Sequence, residues 1–204
     1  MSDISNKTLA ILVGIAIVVS LVGILSIGKG GVVYITGKGT SGQGPVSFNA
    51  TTEVSIKVTG SIDFGNGRVN ATANNATLDS YDGTDIGGTW TFSAQSIKVE
   101  NDGTVNVSVN LSADGNNNAN GLIGGTSPLF QMKGFVTESG ACVTLQTTYA
   151  NVPNSTQTPL AICDLLQYVN SADEFNVSAK LVIPSDAPAG ARNATITFSA
   201  SQVS

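Results

Sequence analysis

The chain has no histidine at all, and its 204 residues include only two cysteines, 11% charged side chains and 6% aromatics. Without histidine there is no Ser-His-Asp triad and no imidazole metal ligand, and neither a G-x-S-x-G elbow nor a phosphate-binding P-loop occurs. Two cysteines alone leave too few ligands for a structural zinc site. Nine Lys and Arg against fourteen Asp and Glu give a net charge of −5, so the basic footprint of a nucleic-acid binder is missing too. Glycine is plentiful at 23 residues, alongside abundant Asn, Thr and Ser. The polar surface is therefore mostly hydroxyl and amide. That composition suits an extracellular β protein better than a cytosolic enzyme, and neither catalysis nor a cofactor is expected.

One long apolar run stands apart, TLAILVGIAIVVSLVGILSIG from Thr8 to Gly28, with no charge in it. As a helix rising about 1.5 Å per residue it covers roughly 30 Å, the thickness of a bilayer's hydrocarbon core. Its Leu, Ile and Val side chains favour insertion by about 4 to 7 kcal/mol before the glycines and serines are counted against it. The leader MSDISNK is weakly basic, and Ser26-Ile27-Gly28 is a poor cut site for a secretion signal. The expected organisation is a short cytoplasmic tail (1–7), a transmembrane helix or signal anchor (8–28), a Gly-rich juxtamembrane tether (29–45) and an extracellular β-sandwich (46–204). Cleavage of the segment is the alternative. Ala10 with Gly14, and Ala16 with Ser20, have the small-xxx-small spacing that seats a partner helix, or occur by chance in a span rich in small residues.

Beyond residue 32 the apolar period changes to two, the period of a half-buried strand. EVSIKVTG alternates Val54, Ile56 and Val58 with polar residues. SIKVENDGTVNVSVNLSA reads as a hairpin: Ile97 and Val99, a turn at Asn101-Asp102-Gly103, then Val105, Val107, Val109 and Leu111. EFNVSAKLVIPSDAPAGARNATITFSA repeats the form with a turn from Pro184 to Gly190. Short strands punctuated by turns predict an all-β fold, an antiparallel β-sandwich of Ig-like or jelly-roll-like type, preceded by one N-terminal transmembrane helix. LAICDLLQYV is the one later stretch that also fits a short helix. The Asn/Gly-rich run from Asp114 to Gly125 reads as a surface loop, and the tether is able to donate one strand.

Cys142 and Cys163, an even pair in a Gly/Asn-rich β domain beside a membrane signal, read as a disulfide; the alternative is two buried thiols. Asn-x-Ser/Thr acceptors occur at Asn49, Asn70, Asn75, Asn106, Asn110, Asn154, Asn176 and Asn193. Asn106, Asn110, Asn176 and Asn193 fall in antiphase with the apolar residues of their strands and should face solvent, as possible glycosylation sites or as plain polar positions. Charge around the span is nearly balanced, so orientation rests on the cysteines and acceptors, which favour a cytoplasmic N-terminus and an exported C-terminal domain.

SIDFGNGRVNATANNATL, IKVENDGTVNVSVNLS, LIGGTSPLFQMKG, the two cysteines and VNSADEFNVSAKLVIPSDAPAGARNATITFSA, in this order, resemble cell-surface proteins of small-genome archaea. The resemblance implies an N-terminal membrane segment followed by a β-sandwich and carries no activity. More distantly, the DFG strand, VENDGTVNVSV and the IPSDAPAG turn are similar to camelysin-like biofilm-fibre proteins, which implies an extracellular structural role with strand exchange between subunits as one mode of assembly. A pilin shares the layout of apolar helix and β head, but here processing at Lys7-Thr8 lacks the small residue and downstream acid that pilins carry.

Candidates for chemistry are few. Asp82 with Asp85, or Asp173 with Glu174, have the composition of a glycosidase carboxylate pair, and also of ordinary turn residues. Asp79, Asp82 and Asp85 around a glycine offer oxygens suited to calcium, but lack the full EF-hand spacing, and Asx-turn chemistry explains them equally. Tyr81 and Trp90 are suited to stacking on a sugar, or to core packing. The expected function is that of a membrane-anchored cell-surface or envelope protein acting by display and contact. Its expected partners are the membrane, through the N-terminal helix, and other envelope or filament subunits, self included. A subunit of an extracellular filament is the alternative, and a glycan-binding module comes third.

Overall fold

The computed structural model describes residues 51–203; the apolar run, the tether and Asn49 lie outside them. Among the described residues no helix is long and apolar enough to cross a membrane. The chain there is all-β and antiparallel, in two sheets that share one core.

The longest strand organises the larger sheet. β9 (Glu174–Pro184) turns Phe175, Val177, Ala179, Leu181 and Ile183 towards the core, the period-two face that its sequence predicts. Along one edge it pairs with β6 (Leu129–Val136). Along the other it takes two short strands end to end, β2 (Asn75–Asp79) against its C-terminal half and β4 (Ile97–Glu100) against its N-terminal half. β3 (Thr84–Ile86) extends the sheet beyond β2, β1 (Lys57–Thr59) extends it beyond β4, and β7 (Ala150–Asn151) flanks β6.

The smaller sheet has the order β10 (Ile196–Gln202), β5 (Val107–Ala113), β8 (Leu160–Leu166). β5 is its centre. Val107, Val109, Leu111 and Ala113 are fully buried while Ser108, Asn110 and Ser112 point outward. Each buried Val or Leu of this row contributes roughly 1.5 to 3 kcal/mol.

Both expected hairpins are instead crossings between sheets. β4 belongs to the larger sheet and β5 to the smaller, and β9 and β10 are divided in the same way. Alternation fixes which face of a strand is buried; it does not fix whether the next strand lies beside it or across the core. The Asn101-Asp102-Gly103 turn is thus a corner, and Asn101 is 1% exposed. Its side-chain amide donates to Val105 O at 2.9 Å and Leu166 O at 3.3 Å, and its Oδ1 accepts from Gly103 N at 3.1 Å.

Three other segments differ from expectation. LAICDLL is the strand β8, not a helix: its register against β5 shifts at Val109, so the consecutive residues Ile162 and Cys163 both turn inward, and the bulge disguises the period of two. EVSIKVTG supplies only the three-residue edge strand β1, with Val54 and Val58 exposed. The Asn/Gly-rich loop contains one helical turn, α1 (Ala119–Leu122), capped by Asn118 Oδ1 accepting from Gly121 N at 3.2 Å, and it inserts Leu122 and Ile123 into the core.

Candidate functional site

The core is unevenly sealed. On the β8 side, residues 141–146 close the gap between sheets: Val143 N donates to Leu165 O at 3.0 Å, Gln146 N to Ile162 O at 3.0 Å, and Gly134 N of β6 to Gln146 O at 2.7 Å. On the β10 side, a cleft of about 1160 Å³ opens between the sheets. Leu181 and Ile183 of β9, Ile97 of β4 and Ile196 and Phe198 of β10 line it and are only half-buried, although they continue the same inward rows that are fully buried elsewhere. Residues 60–74 form its rim in irregular conformation. The cleft is mixed in character, with an aliphatic floor from β4, β9 and β10 and a polar rim that includes Asp63, Arg68, Asn70 and Arg192.

A second feature lies on the outer face of the larger sheet. Lys133 Nζ sits 3.8 Å from the Tyr81 ring centroid and 4.6 Å from that of Tyr149, while Lys180 Nζ is 4.4 Å from Tyr149. Lys180 also pairs with Asp79 Oδ2 at 3.4 Å, and the Tyr149 hydroxyl donates to Asp79 Oδ1. Desolvation first, then the hydrogen bond to Asp79, pushes the Tyr149 hydroxyl well above the ordinary tyrosine pKa. Beside this group, Lys98 bridges Glu174 at 2.7 Å and Glu100 at 3.4 Å. The Lys98 hydrogen bond holds Glu174 below the usual carboxylate range, and burial together with the Glu138 charge raises Asp173. These contacts order the sheet's surface.

The calcium candidates do not converge. Asp79 is engaged by Tyr149 and Lys180; Asp82 accepts from Thr84 N at 3.2 Å and Thr84 Oγ1 at 2.7 Å, an Asx turn; Asp85 Oδ2 accepts from Trp90 N at 2.9 Å. Among the described residues no group of three or more His, Cys, Asp or Glu could hold a metal ion. Asp173 and Glu174 are adjacent on one strand end, tied to Glu138 and Lys98 through separate hydrogen bonds. Trp90 lies on the cleft rim, where a Cβ on either Gly67 or Gly88 would come under 3.0 Å from its indole. Tyr81 is exposed beneath Lys133 and meets Phe135 edge-on at 5.0 Å.

Cys142 and Cys163 form a disulfide with Cα atoms 5.9 Å apart, joining the sealing segment to β8. Of the acceptor asparagines, Asn70, Asn75 and Asn193 are exposed and Asn106, Asn110 and Asn176 are half-buried. Asn110 and Asn176 stand on the outward rows of β5 and β9. Asn154 Oδ1 accepts from Thr156 N at 3.1 Å and Thr156 Oγ1 at 2.8 Å, so this acceptor triplet is folded into an Asx turn.

The cleft and the lysine–tyrosine cluster were not singled out from the sequence. The half-exposure of Ile196 and Phe198 depends on what fails to cover them, and the cluster depends on the register between β6 and β9. Comparison with protein-family models, with curated proteins and with solved structures finds no match to this chain.

Proposed function

We propose that the protein is a membrane-anchored component of the cell surface or envelope, its N-terminus cytoplasmic and its β domain exported, acting by display and protein contact. The observation that carries this reading is the Cys142–Cys163 disulfide in the β domain, a bond that persists in oxidising compartments. The uncharged Thr8–Gly28 run, long enough to span, and the outward-facing Asn110 and Asn176 support it. So does the resemblance to archaeal surface proteins. The test is protease treatment of intact cells: loss of the β domain with a cytoplasmic marker preserved agrees with the reading, and full protection until lysis sinks it.

A second reading, a filament subunit assembled by strand exchange, is favoured by the half-buried aliphatic rows that line the cleft beside β10. A neighbour's strand laid there would complete the half-buried rows. Electron microscopy of shed material separates the two: ordered fibres containing this chain support exchange, and their absence supports simple display.

A further inference from the structure

Edges of sheets are usually short, charged, bulged or covered, because an open row of amides and carbonyls recruits other strands. Among the described residues, β1, β3 and β7 are two or three residues long, with Lys57 in β1 and Asp85 in β3, and β8 is covered by residues 141–146. Among the described residues nothing covers the free edge of β10. It runs for seven residues, ITFSASQ, with no charge, no proline and no shift in register against β5.

The ladder says which backbone groups are open. Val203 N donates to Asn106 O at 3.0 Å, and Thr195 O accepts from Asp114 N at 2.9 Å, so the odd-numbered residues bond towards β5. By antiparallel alternation the amides and carbonyls of Ile196, Phe198, Ala200 and Gln202 point away from it.

We propose that β10 pairs antiparallel with β10 of a second copy of this chain, about a two-fold axis through Ser199. In this register every residue whose backbone groups point away from β5 meets another such residue: Ile196 faces the partner's Gln202, and Phe198 faces the partner's Ala200. On the inward row the two central pairs set large Phe198 beside small Ala200, and the flanking pairs set Ile196 beside the exposed Gln202. The outward row sets Thr197 beside the partner's Ser201 and Ser199 beside the partner's Ser199. A two-fold axis places like against like, which penalises any charged strand; β10 carries no charge to repel itself. The pairing makes one continuous six-stranded sheet from two three-stranded ones and covers Ile196 and Phe198 at the mouth of the cleft. Being isologous it closes at a dimer, unlike strand exchange at the same edge.

The experiment is cysteine cross-linking of the full chain in detergent under mild oxidation, with the native cysteines already joined. Ser199→Cys at a non-hydrogen-bonded pair puts Cα atoms about 4.5 Å apart, within disulfide reach. It is expected to cross-link to itself, whereas Thr197→Cys and Ser201→Cys cross-link well only when mixed with each other. Thr84→Cys on β3 is the control. Ser199→Lys, at an exposed position, is expected to weaken dimerisation roughly tenfold or more while leaving the circular dichroism unchanged. Ser199→Cys cross-linking no faster than Thr84→Cys overturns the proposal, including where a dimer is held by the apolar segment alone. Preferential cross-linking of Ser199→Cys to a cysteine placed in the tether (29–45) also overturns it, pointing to strand exchange when the bond joins two copies and to a self-covered edge when it forms within one.

Discussion

The side-chain amide of Asn101 meets the backbone carbonyl of Leu166 at 3.3 Å, tying the corner that leaves the larger sheet to the end of β8 in the smaller. A second bond to Val105 O and a third from Gly103 N leave the buried amide fully engaged. Replacing it removes three hydrogen bonds, of which the one to Leu166 O is fully buried. Asn101→Ala is expected to lower stability by about 2 to 3 kcal/mol, and Asn101→Asp by a similar amount because a carboxylate cannot donate. Urea unfolding followed by circular dichroism measures both. A loss under about 0.5 kcal/mol would mean that the corner is not a structural joint.

The disulfide spans a separation of 21 residues. In the chain-entropy model, closing such a loop stabilises by roughly 3 kcal/mol. Reduction, or the double change Cys142→Ala and Cys163→Ala, is expected to lower the urea midpoint accordingly. An unchanged midpoint would show that hydrogen bonds from Val143 and Gln146 to β8 hold the seal alone.

Trp90 is the only tryptophan, so its fluorescence reports its own packing. Gly67→Ala or Gly88→Ala forces a methyl against the indole and is expected to cost about 1 to 3 kcal/mol with a shifted emission maximum. Identical emission and stability in both variants would contradict the tight approach at the cleft rim.

Acid acts in opposite senses on two neighbours. Glu174, held low by Lys98, contributes stability that is present above its unfolded pKa and is lost as pH falls through its depressed folded value. Asp173, raised by burial and Glu138, costs stability when ionised, and that cost is relieved as pH falls through its raised value. Glu174→Gln should therefore make the loss of stability in acid shallower, and Asp173→Asn should raise stability near neutrality. Both effects are small, since both side chains are partly solvated. Steeper acid unfolding in Glu174→Gln would reverse the assignment.

Much of the fold was legible because β5 and β9 carry one apolar residue at every second position, a pattern few other structures satisfy. The sheet membership of those strands was not legible. Val99 and Val107 face the same core whether their strands lie side by side or across it, and the choice is made by Asn101, whose bond to Leu166 joins residues 65 positions apart. The strand β8 was obscured by the bulge at Ile162 and Cys163. The disulfide followed from there being two cysteines and no more. The cleft was hidden because it is defined by partial burial, which depends on tertiary covering, and the calcium candidates looked clustered because Asp79, Asp82 and Asp85 are close in sequence while their carboxylates engage different partners.

The most direct measurement is the intact mass and N-terminal sequence of the native protein, taken separately from membrane, shed and filament fractions. An anchored surface protein is expected in the membrane fraction with Met1 or Ser2 at its terminus and Cys142 joined to Cys163. A terminus near Lys29 in shed or filament material, or free thiols in a protein recovered from the cytoplasm, would contradict it.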